Sequence, residues 1–547
     1  MSRQGFIKNS AILLVMIAVT KVLGMIYKVP LTMLLGGEGM GHLSAAMSVF
    51  TPVFAASVSG ITPAVAKLTA ENRALGRYAN MRKTRRVSLR LFLAVSAAGC
   101  LILAAAARLF EALTGQTDNA LAVMCAAPTL LFCSLAAVEK GYHEGLCDMI
   151  PTAASEITES AFRLLLGLGF GYAAGHILML PIGLCAAAAV LAMSAASLIG
   201  SAVLFLHTAK KGDGVTADSL RSDPVCDSSS HIIRRILVCA VPIAFTTLVN
   251  TLTGLIDLIA IPRGLRLAGQ AAPHLFDRLT AGGIAPESVP TFVYGSYTAL
   301  ALTVYGIVPT LTAMLSKSLL PEITAAFASK DHCRLSRSLS RLATAAALIS
   351  FPVGALIAVC PGGILSFIFG SRTLEIYVCQ RPFMILGAAA VFSGISAPCF
   401  AALQLLAKPG TGIRIMLVSA AVKLILDLVL IPLPALGVSG AAVSTAVSSF
   451  YILAACFLKL RRITKNTFSP FRSLIRPFYA SLLCLASALI CVKTVDISAD
   501  SAFSGRLKLL CVVGISGGIY IISLILLCEM PKNRFTALKI KKIRKRT

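Results

Sequence analysis

Along the chain, long apolar runs alternate with short clusters of charged, glycine and proline residues. A bilayer-spanning helix needs roughly 20 mainly apolar residues. Fourteen such runs are predicted, near 9–34, 43–63, 87–110, 119–142, 151–175, 178–207, 234–261, 291–315, 341–369, 381–406, 413–433, 437–459, 474–494 and 507–528. Thr, Tyr and Ser interrupt the eighth. The first is not read as a cleavable signal peptide, because Lys21 and Lys28 break its apolar stretch and no A-x-A site follows. The predicted fold class is an all-α polytopic membrane protein.

Composition narrows the class further. The 547 residues are 57% hydrophobic and only 13% charged, with a mean hydropathy of +0.84. Soluble domains carry about 25% charged residues, so a soluble enzyme, a disordered chain and a fibrous repeat are all excluded. The net charge of +27 would suit nucleic acid, but the basic residues cluster between apolar runs rather than over one globular face. Their expected partners are anionic membrane lipids, with no nucleic acid. The sixteen cysteines include no CxxC pair or Cys/His ligand spacing, so neither a disulfide framework nor a zinc site is indicated. Trp is absent, which leaves Tyr to supply an interfacial belt.

The placement of charge sets the expected orientation. Thirty-seven of the fifty Lys and Arg residues fall in the N-terminus, the even-to-odd loops and the C-terminal tail. The richest segments are Arg73 to Arg90, Lys459 to Arg476 and Lys532 to Arg546. By the positive-inside rule both termini are cytoplasmic, as an even number of spans requires. The longest loops, 208–233 and 262–290, are too short to fold as domains. The first contains the polar run Asp213 to Ser230 and reads as a flexible linker between two helical bundles. The expected division is 1–208 (helices 1–6), linker 209–233, 234–460 (helices 7–12), and 461–547 (the last two helices and a basic tail).

With no large loop, function must reside in the spans, and the informative residues are those that are costly there. Charge inside a bilayer usually faces a cavity or a partner helix. In the first span Ile17, Lys21, Gly24 and Lys28 share one face at i, i+4, i+7 and i+11. They would line a cationic chamber, or Lys28 would snorkel to the outer headgroups. The fifth span carries Glu156, Glu159 and Arg163, the last two four apart and able to pair. The eleventh repeats the device with Lys423 and Asp427. Arg163 and Lys423 are read either as structural partners of these acids or as substrate contacts. In the seventh span Thr246, Asn250, Thr253 and Asp257 form a polar stripe. Asn250 and Asp257 are candidates for coupling to a proton or cation, and a cap or a pairing with a first-span lysine is the structural alternative.

Other signals are weaker. Prolines inside spans, such as Pro52, Pro242 and Pro352, permit bends in moving and static bundles alike. The run Gly36-Gly37-Glu38-Gly39-Met40-Gly41 follows a membrane helix rather than a strand, so it reads as a tight outer turn, not a phosphate cradle. No G-x-S-x-G, H-E-x-x-H or P-loop occurs. The chain is therefore not expected to be an enzyme, and no cofactor is implied beyond a possible coupling ion or the membrane potential.

Several blocks resemble stage V sporulation protein B-like transporters, which share the multidrug/oligosaccharidyl-lipid/polysaccharide exporter superfamily with the lipid II flippases. They are Phe6 to Ser10 leading to Lys21-Val22-Leu23-Gly24-Met25-Ile26-Tyr27-Lys28-Val29-Pro30, then Leu35 to Gly39, and Ser59 to Leu68. Further on come Gly141-Tyr142-His143-Glu144-Gly145 through Pro151 to Arg163, and Val422-Lys423 through Asp427 to Gly437–Ala442. One departure is Leu403 to Pro409, where relatives often show a glycine-containing turn. The resemblance implies two pseudo-symmetric six-helix bundles open alternately to either side, plus a C-terminal helix pair. It also implies a cationic cavity for a lipid-diphosphate-linked saccharide, in a monomer in the bacterial cell membrane. A multidrug–cation antiporter on the same architecture, an intramembrane glycosyltransferase and a non-transporting scaffold are the rival readings.

The orientation is testable by labelling single cysteines in a background without the native ones. Position 38 should react with an impermeant reagent in intact cells, and positions 80, 220 and 540 should not. Labelling at 220 would invert the linker and overturn the two-bundle topology.

Overall fold

A computed structural model describes residues 3–114, 119–211, 227–370, 372–407, 409–494 and 502–529. Every regular element among these residues is helical. Most of the expected linker and the basic tail from Lys532 to Arg546 lie outside the described residues.

The chain packs as two compact units, residues 1–299 and 300–547. The division falls inside the eighth expected span. The first unit contains α1 (Arg3–Ser57), α2 (Ile61–Ala74), α3 (Tyr78–Thr114), α4 (Asn119–Gly145), α5 (Ile150–Tyr172), α6 (Ile182–Lys211), α7 (Ser229–Ala271) and α8 (Val289–Ser296). The second contains α9 (Ile307–Ala328), α10 (His332–Val359), α11 (Thr373–Leu406), α12 (Pro409–Leu430), α13 (Val438–Ile463), α14 (Pro470–Thr494) and α15 (Ala502–Glu529).

Eleven stretches among the described residues are long and apolar enough to cross a bilayer. The first of them, Val15–Ala74, takes in both of the first two expected spans. The expected fifth and eleventh spans are present as α5 and α12, but each carries three charged residues and fails on composition alone. Among the described residues the number of spans therefore stays near fourteen.

The glycine run after the first span behaves differently from expectation. Instead of a turn over 36–41, α1 is interrupted only at Gly36, whose φ of 65° and ψ of −174° favour glycine. The glycines that follow are helical, and their role is close packing. A Cβ on Gly37 would collide with Phe292 and Ser296, and one on Gly41 with the Thr291 carbonyl. Gly295 on α8 in turn faces the backbone of Gly37 and Gly41. This small-residue contact brings α1 and α8 together backbone to backbone. Ser288 Oγ donates to Glu38 Oε1 at 2.7 Å beside it.

α5 is held on two sides by the same means. The Tyr27 ring of α1 occupies the space above Gly167, and Leu34 covers Gly171. On the other side Ser155 Oγ donates to the Gly200 carbonyl of α6 at 2.8 Å.

In the second unit, Leu335, Leu339 and Leu342 of α10 form a buried stripe against Phe400, Leu403 and Leu406 of α11 and Cys456 and Leu460 of α13. Gly354 and Gly387 put the α10 and α11 backbones in contact. The last helix pair docks on α10, since Thr344 Oγ1 donates to the Ser473 carbonyl at 3.1 Å and Tyr520 Oη to the Leu348 carbonyl at 3.0 Å.

The α1–α8 contact makes a clear prediction. Gly295→Ala has no space and should lower the melting temperature of the solubilised protein, since overpacking costs about 1–3 kcal/mol. Gly514→Ala on α15 meets nothing within 4 Å and should be neutral or mildly stabilising. Equal melting of the two variants would refute the close-approach role.

Candidate substrate and ion sites

The lysine face of α1 lies beside its contact with α5. Tyr27, Leu31 and Leu34 face α5, and Gly24 and Lys28 lie one helical step round from them. Lys21 is exposed and has no ion-pair partner among the described residues. A Cβ on Gly24 would meet nothing within 4 Å, so the face beside Lys21 is open. Lys28 is half-buried and partnered within the structure.

The charges of α5 are arranged as a network across three helices. Arg163 Nη2 donates to Glu159 Oε1 at 2.5 Å, and Ser197 Oγ of α6 donates to the same oxygen at 2.9 Å. Lys140 of α4 donates to Glu156 Oε1 at 2.6 Å and stands 4.0 Å from Glu159 Oε2. Two acids and two bases thus cancel. Arg163 retains one buried donor, Nε, without an acceptor among the described residues. Its Cα lies one turn from Gly167, so the Tyr27 ring packs next to it.

A second buried cluster closes the C-terminal end of α4. Arg85 Nε donates to the fully buried Glu139 at 2.8 Å, and its guanidinium lies 5.2 Å from the Tyr142 ring centroid. Thr208 Oγ1 joins the other Glu139 oxygen at 3.4 Å and contacts His143 Nε2 at 2.8 Å. Lys140, Glu139 and Arg85 escape the sequence reading because their partners lie on other helices. Only pairs spaced three or four apart on one helix are visible in sequence.

The α7 stripe divides. Thr246 and Thr253 bond back to their own helix, at Pro242 and Asn250. Asn250 is exposed, whereas Asp257 is buried and partnered. Asp257 lies within electrostatic range of Tyr294 of α8, whose hydroxyl is 3.1 Å from Ser48 Oγ of α1. The acid therefore sits where α1, α7 and α8 converge.

Lys423 and Asp427 form a closed buried pair in the second unit. Lys423 Nζ is 3.3 Å from Asp427 Oδ2 and donates to Thr445 Oγ1 of α13 at 3.2 Å, while Ser444 Oγ donates to Asp427 Oδ1. The two side chains are 4% and 0% exposed. Burial at that depth directs Lys423 to its acid and to α13.

The profile of the polysaccharide biosynthesis protein family matches residues 6–327. The chain belongs to that family. It is 25% identical to stage V sporulation protein B of Bacillus subtilis over 454 residues, 81% of each chain. It is 21% identical to the lipid II flippase MurJ of the same organism over 458 residues, 81% of this chain and 80% of that one. Among solved structures it is similar to lipid II flippase MurJ in an inward closed conformation, with a TM-score of 0.67, 13% identity and coverage of 95% and 98%. An inward-facing multidrug resistance MATE transporter of the MOP superfamily gives a TM-score of 0.61 at 14% identity, covering 83% of this chain and 96% of that one. This member of the polysaccharide biosynthesis protein family thus has the fold of MOP-superfamily transporters.

Within this family member the Lys423–Asp427 pair tests the structural reading. Removing one partner of a buried ion pair costs about 3–5 kcal/mol, whereas replacing both with apolar groups is often tolerated. Lys423→Ala should sharply lower the amount and melting temperature of the solubilised protein, and Lys423→Met with Asp427→Leu should recover most of both. Unchanged stability of Lys423→Ala would show that the lysine serves something other than Asp427.

Proposed function

We propose that the chain is a flippase that moves an undecaprenyl-diphosphate-linked saccharide, a lipid II-type peptidoglycan precursor or related lipid-linked oligosaccharide, to the outer leaflet. The carrying observation is the open face of α1 at Lys21 and Gly24. The physical problem is to take a polar, doubly anionic headgroup across about 30 Å of hydrocarbon. Cationic side chains in a wet chamber replace the lost hydration, while the prenyl tail stays in lipid. Alternating access then exposes the chamber to one leaflet at a time, and no bond is made or broken. Lys28, flanking the α1–α5 contact, and the half-buried Arg163 beside Tyr27 are the further residues proposed to meet the substrate.

Both termini are proposed to be cytoplasmic in a bacterial plasma membrane, and the protein to act as a monomer. Asp257, with Asn250 about two turns away on the exposed part of the stripe, is the proposed point of coupling to an ion. A multidrug–cation antiporter would need an acidic open face. Among the acids of the candidate sites, Glu159 and Asp427 are instead matched by bases and Asp257 is buried.

The test is rescue of a strain depleted of its lipid II flippase, with outer-leaflet appearance of the lipid-linked sugar measured at matched protein levels. Lys21→Glu should abolish flipping and Lys21→Ala should reduce it by tenfold or more. Lys21→Arg should keep part, because charge is retained while geometry changes. Lys28 variants should follow the same order with smaller effects. Unimpaired flipping by Lys21→Glu would overturn the cationic-chamber reading.

A further inference from the structure

Away from the α1 face, α2 and α7 enclose a cavity of about 300 Å³ lined by Lys67, Leu68, His231, Arg234, Arg235 and Val238, with Cys239 at its edge. The two helices meet closely where the Ala240 backbone occupies the space over Gly60. They then run antiparallel to the Arg235–Glu71 ion pair at 2.5 Å. Lys67 stands 4.0 Å from the same glutamate and 3.9 Å from Cys239 Sγ. Among the described residues the other acid nearby is Asp227, 3.7 Å from His231 and already served by Arg77 at 3.9 Å and Asn80 at 3.0 Å. Arg234 is exposed and has no ion pair among the described residues. Among the described residues the cavity is therefore cationic beyond what Glu71 and Asp227 cancel.

The polarity of α7 says what kind of anion fits. His231, Arg234, Val238, Val241 and Phe245 fall on one stripe at helical spacing. Its first two positions are basic, and the next three are apolar and exposed at 67%, 56% and 46%. A stripe that is cationic at the helix start and apolar further in matches a phosphate head followed by a hydrocarbon chain. A small soluble anion would leave the apolar part uncovered. We propose that this cavity binds the phosphate head of an anionic membrane phospholipid, its acyl chain lying along Val238, Val241 and Phe245. Basic pockets between membrane helices attract such headgroups electrostatically. This site is separate from the lysine face of α1 and does not depend on the proposed transport activity.

The experiment is native mass spectrometry of the full-length protein in neutral detergent, titrated with phosphatidylglycerol or with phosphatidylcholine of the same chains. The unmodified protein should prefer phosphatidylglycerol, and Lys67→Gln with Arg234→Gln should weaken that binding by about tenfold. The charge-preserving pair Lys67→Arg with Arg234→Lys should bind within about twofold of the unmodified protein, which separates a lost site from lost folding. Arg461→Gln with Arg462→Gln, an equal charge loss at the exposed end of α13, should also leave binding unchanged. Equal weakening by the α13 variant, or none by the cavity variant, would overturn the assignment. So would displacement of the phospholipid by millimolar inorganic phosphate, which would indicate a free-anion site. Displacement by equimolar polyprenyl diphosphate would overturn it too, by giving the cavity to the transported lipid.

Discussion

An ionised side chain inside a bilayer must be matched by another group or face water, and this constraint organises the molecule. At a helix centre a charge costs about 2.5–3.5 kcal/mol by insertion measurements. Lys423 and Asp427 meet the cost with each other and with two hydroxyls of α13. Glu159 meets it with Arg163 and Ser197, and Lys140 with Glu156. Glu139 does so with Arg85. Each solution ties neighbouring helices in sequence or in space, so the charges also specify which helices pack together. Pairs of this kind contribute little net stability compared with apolar packing, but breaking one is expensive. They act as constraints on arrangement.

Close packing supplies the attraction that these pairs do not. Lipid tails are as apolar as leucine, so helix association within a membrane relies on close contact and on hydrogen bonds. Gly37, Gly41 and Gly295 bring α1 and α8 into contact, and Gly354 and Gly387 do the same for α10 and α11. At both contacts a methyl group would already be too large. In the first unit this packing also fixes the site, because α1 carries the lysines and Tyr27 anchors it to α5 over Gly167. A shift of α1 would move the lysine face with it.

The part of this architecture that is local in the chain was legible in the sequence. Apolar runs of helical length marked the spans, and the four-residue spacing of Glu159–Arg163 and Lys423–Asp427 announced pairs that the structure forms. Three features were not legible, for related reasons. Gly36 to Gly41 read as a turn because turn formation and backbone contact demand the same residue type, and only the position of α8 separates them. Lys140, Glu139 and Arg85 drew no attention in the sequence because their partners are 16 or 54 residues away. The stripe on α7 read as continuous, whereas neighbouring helices bury Asp257 and leave Asn250 exposed.

Set beside these matched charges, Lys21 stands apart. Arg163, Lys140, Lys423 and Arg85 each have a carboxylate within 3.3 Å, and Lys28 is partnered and half-buried. Lys21 lies in the middle of an apolar helix, exposed, next to a glycine that leaves the face open. An alanine there would insert more readily and would break no ion pair among the described residues. Its cost is offset only if the open face meets water or an anion. On the function proposed above, the diphosphate of the lipid-linked saccharide is that anion, met by a single point charge with three donors.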